Sequence, residues 1–145
     1  MIKEINLRDV KEISELFIDC FNSHPWNENW TYETASKRLV DIINTPGFMG
    51  ISFYNSNEIA GIIMGRIEQY YNGINFQILE FCISRKMQNK GYGSMLLNEF
   101  TKKLKEKNIV NVCLLTLHGD STEGFYKKNG FTTMEDMVFM SKKIK

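Results

Sequence analysis

Neither sign of charge dominates this chain. Its 18 Lys and Arg residues stand against 17 Asp and Glu, interspersed, for a net charge of +1. Without a large positive field it lacks the electrostatic footprint by which proteins hold a nucleic-acid backbone, so no nucleic-acid partner is expected. The densest basic cluster, Lys102, Lys103, Lys105 and Lys107, falls near the end of a predicted helix, where cations offset the helix dipole and face solvent. Cysteine is scarce too. Cys20, Cys82 and Cys113 are odd in number, far apart and set in apolar runs, a pattern that fits neither a disulfide framework nor a zinc site. They read as small buried hydrophobes in a reducing compartment, and no metal is expected. No run approaches the ~20 apolar residues of a membrane span. The opening "MIKEINLRDVKEI" carries charges every few residues in place of the apolar stretch of a signal peptide. The expectation is a cytoplasmic protein with no membrane partner.

What is present suffices for one folded domain spanning 1–145. The chain is 43% apolar, with 10 Phe and 8 Met as core material, and 145 residues is about one domain's worth. No internal repeat or low-complexity segment interrupts it.

Periodicity orders the elements. Residues 2–6 predict a short strand. Val10, Ile13, Leu16, Phe17 and Cys20 then recur at helical spacing. "FNSHPWNENW" has no period and reads as a loop. Thr31 caps a second helix with Ala35, Leu39, Ile42 and Ile43 on its apolar face, ended by "TPG" at 45–47. Three β-like runs follow, divided by "NSNE" and by the hairpin signal Asn72-Gly73, and these predict an antiparallel meander. Leu96, Leu97, Phe100 and Leu104 mark a third helix. "IVNVCLLTL" at 109–117 looks like a strand buried on both sides. Strand, helix, strand implies a parallel pair with a helical crossover. Asp120 and Glu123 have the spacing of a capping box for a short helix closed by Asn129 and Gly130. The tail "FTTMEDMVFMSKKI" supplies one or two last strands. The fold class is α/β, a mixed α+β sheet with helices on its faces.

Two features carry chemistry. In "QNKGYGS" at 88–94, Gly91 and Gly93 sit where a strand hands over to a helix. Glycine permits close backbone approach there, and successive N–H groups backed by the helix dipole make a phosphate site. The spacing is neither that of the NTPase phosphate loop nor that of the dinucleotide fingerprint, whose third glycine would fall at Leu96. The second feature is Glu80, the lone carboxylate in the apolar run Ile78–Ile83.

Gln88, Gly91 and Gly93 match Gln/Arg-x-x-Gly-x-Gly/Ala, and "FYKKNGF" at 125–131 follows at the right separation. With these two motifs the chain resembles the GNAT family of acetyl-CoA-dependent N-acetyltransferases, through nearly its whole length in element order and most sharply from Ile78 to Phe131. The resemblance implies a GNAT-like acyl-CoA N-acyltransferase fold, mostly antiparallel, with a parallel fourth and fifth strand and about four helices. It implies acetyl-CoA as cosubstrate and no metal. Gln88, Asn89, Lys90, Gly91, Tyr92, Gly93 and Ser94 would wrap the pyrophosphate. Phe81, Cys82 and Ile83 would run along the pantetheine arm, with an N–H near Ile83 polarising the thioester carbonyl. Ser121 stands near the place where the family often has an Asn that touches the cofactor. Tyr126 matches the family acid that protonates the leaving thiolate, and a phenol of pKa about 10 can do so for a thiol nearer 8.5.

An alkylamine near pKa 10 must first lose a proton. Glu80 is the candidate base, since burial on an apolar strand raises a carboxylate's pKa. Transfer is expected to be direct, in a ternary complex, to a primary amine of a small molecule or peptide. By analogy with the fold, Trp26, Trp30, Glu68, Tyr70 and Tyr71 are the candidate acceptor residues, with Glu68 attracting the ammonium. An acyl-CoA-binding sensor without turnover would keep the glycine turn but need neither Tyr126 nor Glu80. A sheet that ends at an open late strand offers an edge for a homodimer.

Overall fold

The computed structural model describes all 145 residues, in two compact units, Met1–Leu114 and Leu115–Lys145. The first holds a five-stranded sheet in sequential order: β1 (Ile2–Glu4), β2 (Phe48–Asn55), β3 (Glu58–Tyr70), β4 (Gly73–Ile83) and β5 (Ile109–Cys113). Pairing is antiparallel from β1 to β4 and parallel between β4 and β5. Three of the helices belong to this unit, α1 (Val10–Phe21), α2 (Tyr32–Ile43) and α3 (Tyr92–Glu106), and α3 is the crossover that a parallel pair requires. This is the mixed sheet expected from the sequence.

Two helices cover one face of the sheet because their apolar stripes match its side-chain period. Ile13, Leu16, Phe17 and Cys20 of α1 and Ala35, Leu39 and Ile42 of α2 bury against Ile62 and Met64 of β3 in one cluster. Thr31 caps α2, its hydroxyl accepting from the Thr34 N–H at 3.1 Å. The opposite face packs on α3, where Phe76 meets Phe100 edge to face at 5.2 Å. Leu96, Leu97, Phe100 and Leu104 are all buried. Each such side chain stabilises the fold by about 1.5–3 kcal/mol relative to exposure.

Several expectations need correction. The β3–β4 turn is centred on Tyr71 and Asn72, and Gly73 already pairs with Tyr70 as the first residue of β4. β5 is shorter than 109–117 and is not buried on both sides: it is an edge strand, and Val110 is 67% exposed. Cys113 on it is exposed as well, so only Cys20 and Cys82 behave as interior thiols. In the second unit α4 (Glu123–Lys128) starts from Thr122 without a side-chain cap. The Asp120–Glu123 capping box does not form, because the Glu123 carboxylate turns instead to the Thr133 hydroxyl and the His118 ring. The predicted close of this helix is correct. Gly130 has φ +91°, and the Phe131 N–H donates to the Tyr126 carbonyl while that of Gly130 donates to Lys127. That is the double bond of a Schellman cap. No strand forms after Phe131; Val138, Phe139 and Met140 are largely exposed and find no partner edge.

Candidate active site

The site begins with an irregularity in the β3–β4 ladder. Met64 pairs with Glu80 and Gly65 with Ile78, so Leu79 is an extra residue on β4. Such a bulge resets the two-residue alternation. Phe76 and Ile78 lie on the α3 face, whereas Glu80 shares the face of its partner Met64, beneath α1 and α2. Gly65 makes this possible: a Cβ there would stand 1.9 Å from the Gln77 carbonyl oxygen.

Glu80 is therefore nearly covered, its side chain 11% exposed. Burial pushes its pKa up to about 7, opposed by the Arg38 guanidinium of α2 at 3.5 Å from Oε1. The other oxygen, Oε2, is buried without a hydrogen-bond partner. A carboxyl group that titrates near neutrality and keeps one lone-pair edge unused is suited to take a proton. Arg38 also lines a cavity of about 490 Å³ between α2 and the sheet, which Arg66 and Leu79 border from below.

Beyond Glu80 the strand opens. The β4–β5 ladder ends at the pair Gln77–Cys113. The Ser84 N–H donates to the Ala60 carbonyl at 2.7 Å. Alternation then makes the neighbouring pair, Ile83 with Gly61, one whose N–H and C=O point away from β3. The Ile83 carbonyl accordingly accepts from Gln88 Nε2 at 3.1 Å and from Cys20 Sγ at 3.3 Å. Gln88 thus ties the glycine turn to the end of the strand.

The turn itself leaves backbone donors at the start of α3 without a side-chain partner. Asn89 (φ +62°) and Gly91 (φ +81°) are left-handed, and a Cβ on Gly91 would meet nothing within 4 Å. Glycine is needed here for its backbone conformation, not for space. No side chain caps α3, so the N–H groups of its first turn, from Tyr92, Gly93 and Ser94, have no intrahelical acceptor. Asn89 and Lys90 are exposed beside it. The Tyr92 side chain has a different use, packing on Phe53 at 5.1 Å with its hydroxyl accepting from Asn55. Any contact it makes with an anion runs through its N–H.

Cys82 carries no sign of activation. Its contact with the Cys20 thiol and its burial raise its pKa well above the ordinary thiol value, the opposite of a nucleophile's need. In the second unit Tyr126 sits on α4 between Phe125 and Phe131, ring centroids 5.1 and 5.4 Å away. Ser121 is exposed just before α4.

The candidate acceptor residues do not come together. Trp26 packs on Phe21 and Trp30 on Phe17, both at the rim of the core. Tyr70 and Tyr71 are exposed at the β3–β4 turn, Tyr71 at 96%. Glu68 is taken by Arg66 at 3.4 Å. Sequence reasoning missed Arg38 and Arg66. Arg66 was open to discovery, since Ile62, Met64, Arg66 and Glu68 alternate on one face of β3. Arg38 sits beside the apolar stripe of α2 with no signal of its own.

The same sheet and helix order recurs in solved acetyltransferases. An aminoglycoside acetyltransferase from an uncultured soil metagenomic sample, crystallised with sisomicin, superposes with a TM-score of 0.75 at 19% identity over 100% of this chain and 96% of that one. A possible acetyltransferase from Clostridium difficile 630 gives 0.83 at 14% identity over 100% and 98%. A GNAT family acetyltransferase from Staphylococcus aureus gives 0.75 at 18% over 99% and 98%. No curated protein matches the sequence. The profile of the acetyltransferase (GNAT) family matches residues 10–131, across both units. The chain belongs to the GNAT family and is an acetyltransferase, of a family whose acyl donor is acetyl-CoA. None of its helices is long and apolar enough to cross a membrane.

Proposed function

We propose that the protein transfers the acetyl group of acetyl-CoA to the nitrogen of a primary amine by direct attack in a ternary complex. One observation carries this reading: a carboxyl group with pKa about 7 lies on the strand that leads, through a clamped turn, into an uncapped glycine-bearing helix start. The anion site and the base are thus neighbours in the chain, as a thioester lying along β4 would need.

In this reading the N–H groups of α3's first turn hold the pyrophosphate, and the outward N–H of Ile83 faces the thioester oxygen. Glu80 takes a proton from the ammonium, directly or through a water. The free amine forms a bond to the carbonyl carbon, and the carbon–sulfur bond breaks as the tetrahedral adduct collapses. The departing thiolate takes a proton from Tyr126, a role that rests on its "FYKKNGF" motif. The products are the amide and coenzyme A: of the two protons that the nitrogen gives up, the one on Glu80 passes to solvent and the second restores the Tyr126 phenol. The buried Cys82 has no covalent part.

The test is a screen of primary amines with acetyl-CoA, following release of free thiol. Turnover with at least one amine, lost in Glu80→Gln, supports the reading. Acetyl-CoA binding without turnover of any amine marks an acyl-CoA sensor instead.

A further inference from the structure

Two buried polar atoms of opposite sense lack a partner, one on Arg66, which lines the cavity, and one on Glu80, which is outside the lining and adjoins it through Arg38. Glu80 Oε2 is an acceptor, and Arg66 Nε is a donor. A buried polar atom without a partner is costly, and a ligand that reaches both by displacing the half-exposed Arg38 and Arg66 side chains supplies what each lacks. Their residues sit on one face of the sheet. Glu80 pairs with Met64, and Arg66 lies two residues further along the same strand, a diagonal separation of about 7–8 Å between backbones.

Arg66 is not locked in place. Its Nη2 reaches Gln77 at 3.3 Å and Glu68 at 3.4 Å, both long contacts, and its side chain is 41% exposed. The charges around the cavity lean the same way. Lys37, Arg38 and Arg66 line it against Glu33 and Asp41, and Lys37 and Asp41 satisfy each other at 3.0 Å. A polycationic acceptor would bring several ammonium groups against a lining whose cations outnumber its carboxylates. An acceptor with one ammonium for Glu80 and one carboxylate for Arg66 meets both unpaired atoms.

We propose that the acceptor is a primary amine carrying a carboxylate a few bonds away, with Arg66 holding the carboxylate and Arg38 adding to the positive field of the cavity. Free amino acids and short peptides share this chemistry. The inference rests on the N-acetyltransferase reading for its turnover, but not for its binding. Glu68 is the internal carboxylate that Arg66 exchanges for that of the ligand, and Arg66 is a specificity determinant without a part in bond making.

The test compares the proteinogenic amino acids with their carboxamides, simple dipeptides, spermidine and kanamycin, by thiol release from acetyl-CoA and by calorimetric binding to protein saturated with coenzyme A. At least one amino acid or dipeptide is expected to exceed its own carboxamide at least tenfold in kcat/KM, mainly through KM. Arg66→Met should collapse that ratio towards one, and Arg66→Lys should restore part of it, with thermal melts confirming that both variants fold. A preference for dipeptides over free amino acids assigns the source and keeps the inference. Equal use of acid and amide, or a preference for spermidine or kanamycin, overturns it while leaving the acetyltransferase reading intact. Carboxylate-dependent binding without turnover keeps it while the acetyltransferase reading falls, and no carboxylate-dependent binding with no turnover overturns it.

Discussion

The Arg38 guanidinium stands 3.5 Å from one oxygen of Glu80, while the other oxygen of the same carboxyl has no partner. Arg38 favours the charged carboxylate and burial opposes it, with burial the larger effect. Removing Arg38 therefore shifts the balance further towards the neutral acid. In Arg38→Met the acidic limb of the kcat/KM profile is expected to move to higher pH, by about one unit or more. A pH–rate series on the variant and the parent protein checks it. An unmoved limb would mean that Glu80 is not the group that titrates.

Stability should report on Glu80 independently of turnover. Its folded pKa of about 7 lies above the model-compound 4.5. Between these values the unfolded chain has released the proton and the folded chain retains it. Unfolding then releases a proton, and stability falls as pH rises through this window, levelling above about 7. The stability that the group contributes is fully present below pH 4.5 and lost above 7, on the order of 3 kcal/mol if nothing relaxes. Glu80→Gln stays neutral throughout. Denaturant titrations at pH 4 and pH 8 should show the variant gaining on the parent protein at the higher pH only.

The two glycines that shape this region fail differently when a methyl is added. At Gly91 a Cβ meets no atom within 4 Å, and only the left-handed backbone at φ +81° resists. Gly91→Ala should cost about 1–2 kcal/mol of stability and raise the KM for acetyl-CoA, because relaxing the strain re-aims the N–H groups that follow. At Gly65 the Cβ would sit 1.9 Å from the Gln77 carbonyl oxygen, inside the ladder beside the bulge. Gly65→Ala is expected to cost at least about 3 kcal/mol and displace Glu80, or to yield insoluble protein. Thermal melts and acetyl-CoA titrations on both variants separate the two cases.

Much of this was readable in the residues, because most of it depends on local patterns. The stripes of α1, α2 and α3, the Thr31 cap and the parallel pair around a helix follow from spacing alone. The glycine turn did too, since Gly91 signals a backbone requirement that a single chain displays. The Leu79 bulge did not, because an extra residue on one strand exists only relative to its partner. Strict alternation would have left Glu80 on the α3 face with Phe76 and Ile78. The packing of the Trp residues was not legible for a related reason: Trp26 and Trp30 are large apolar side chains in a loop without period, and their contacts with Phe21 and Phe17 exist only once α1 is in place. The apolar tail misled most. "MVFM" has strand composition, but composition cannot supply the partner edge.

Tyr126 offers the sharpest separation of packing from chemistry. Its ring meets Phe125 and Phe131 edge on, and its carbonyl accepts the Phe131 N–H that closes α4. Phenylalanine preserves both. Tyr126→Phe should therefore stay within about 1 kcal/mol of the parent stability, the worth of one hydrogen bond. If the hydroxyl protonates the leaving thiolate, kcat should fall roughly 10²-fold or more, with the KM for acetyl-CoA little changed. The loss should shrink with an acyl donor whose thiol is more acidic, since such a thiolate leaves without help. Retention of full kcat across pH would show the tyrosine to be a packing residue of α4 and return the search for the acid to solvent.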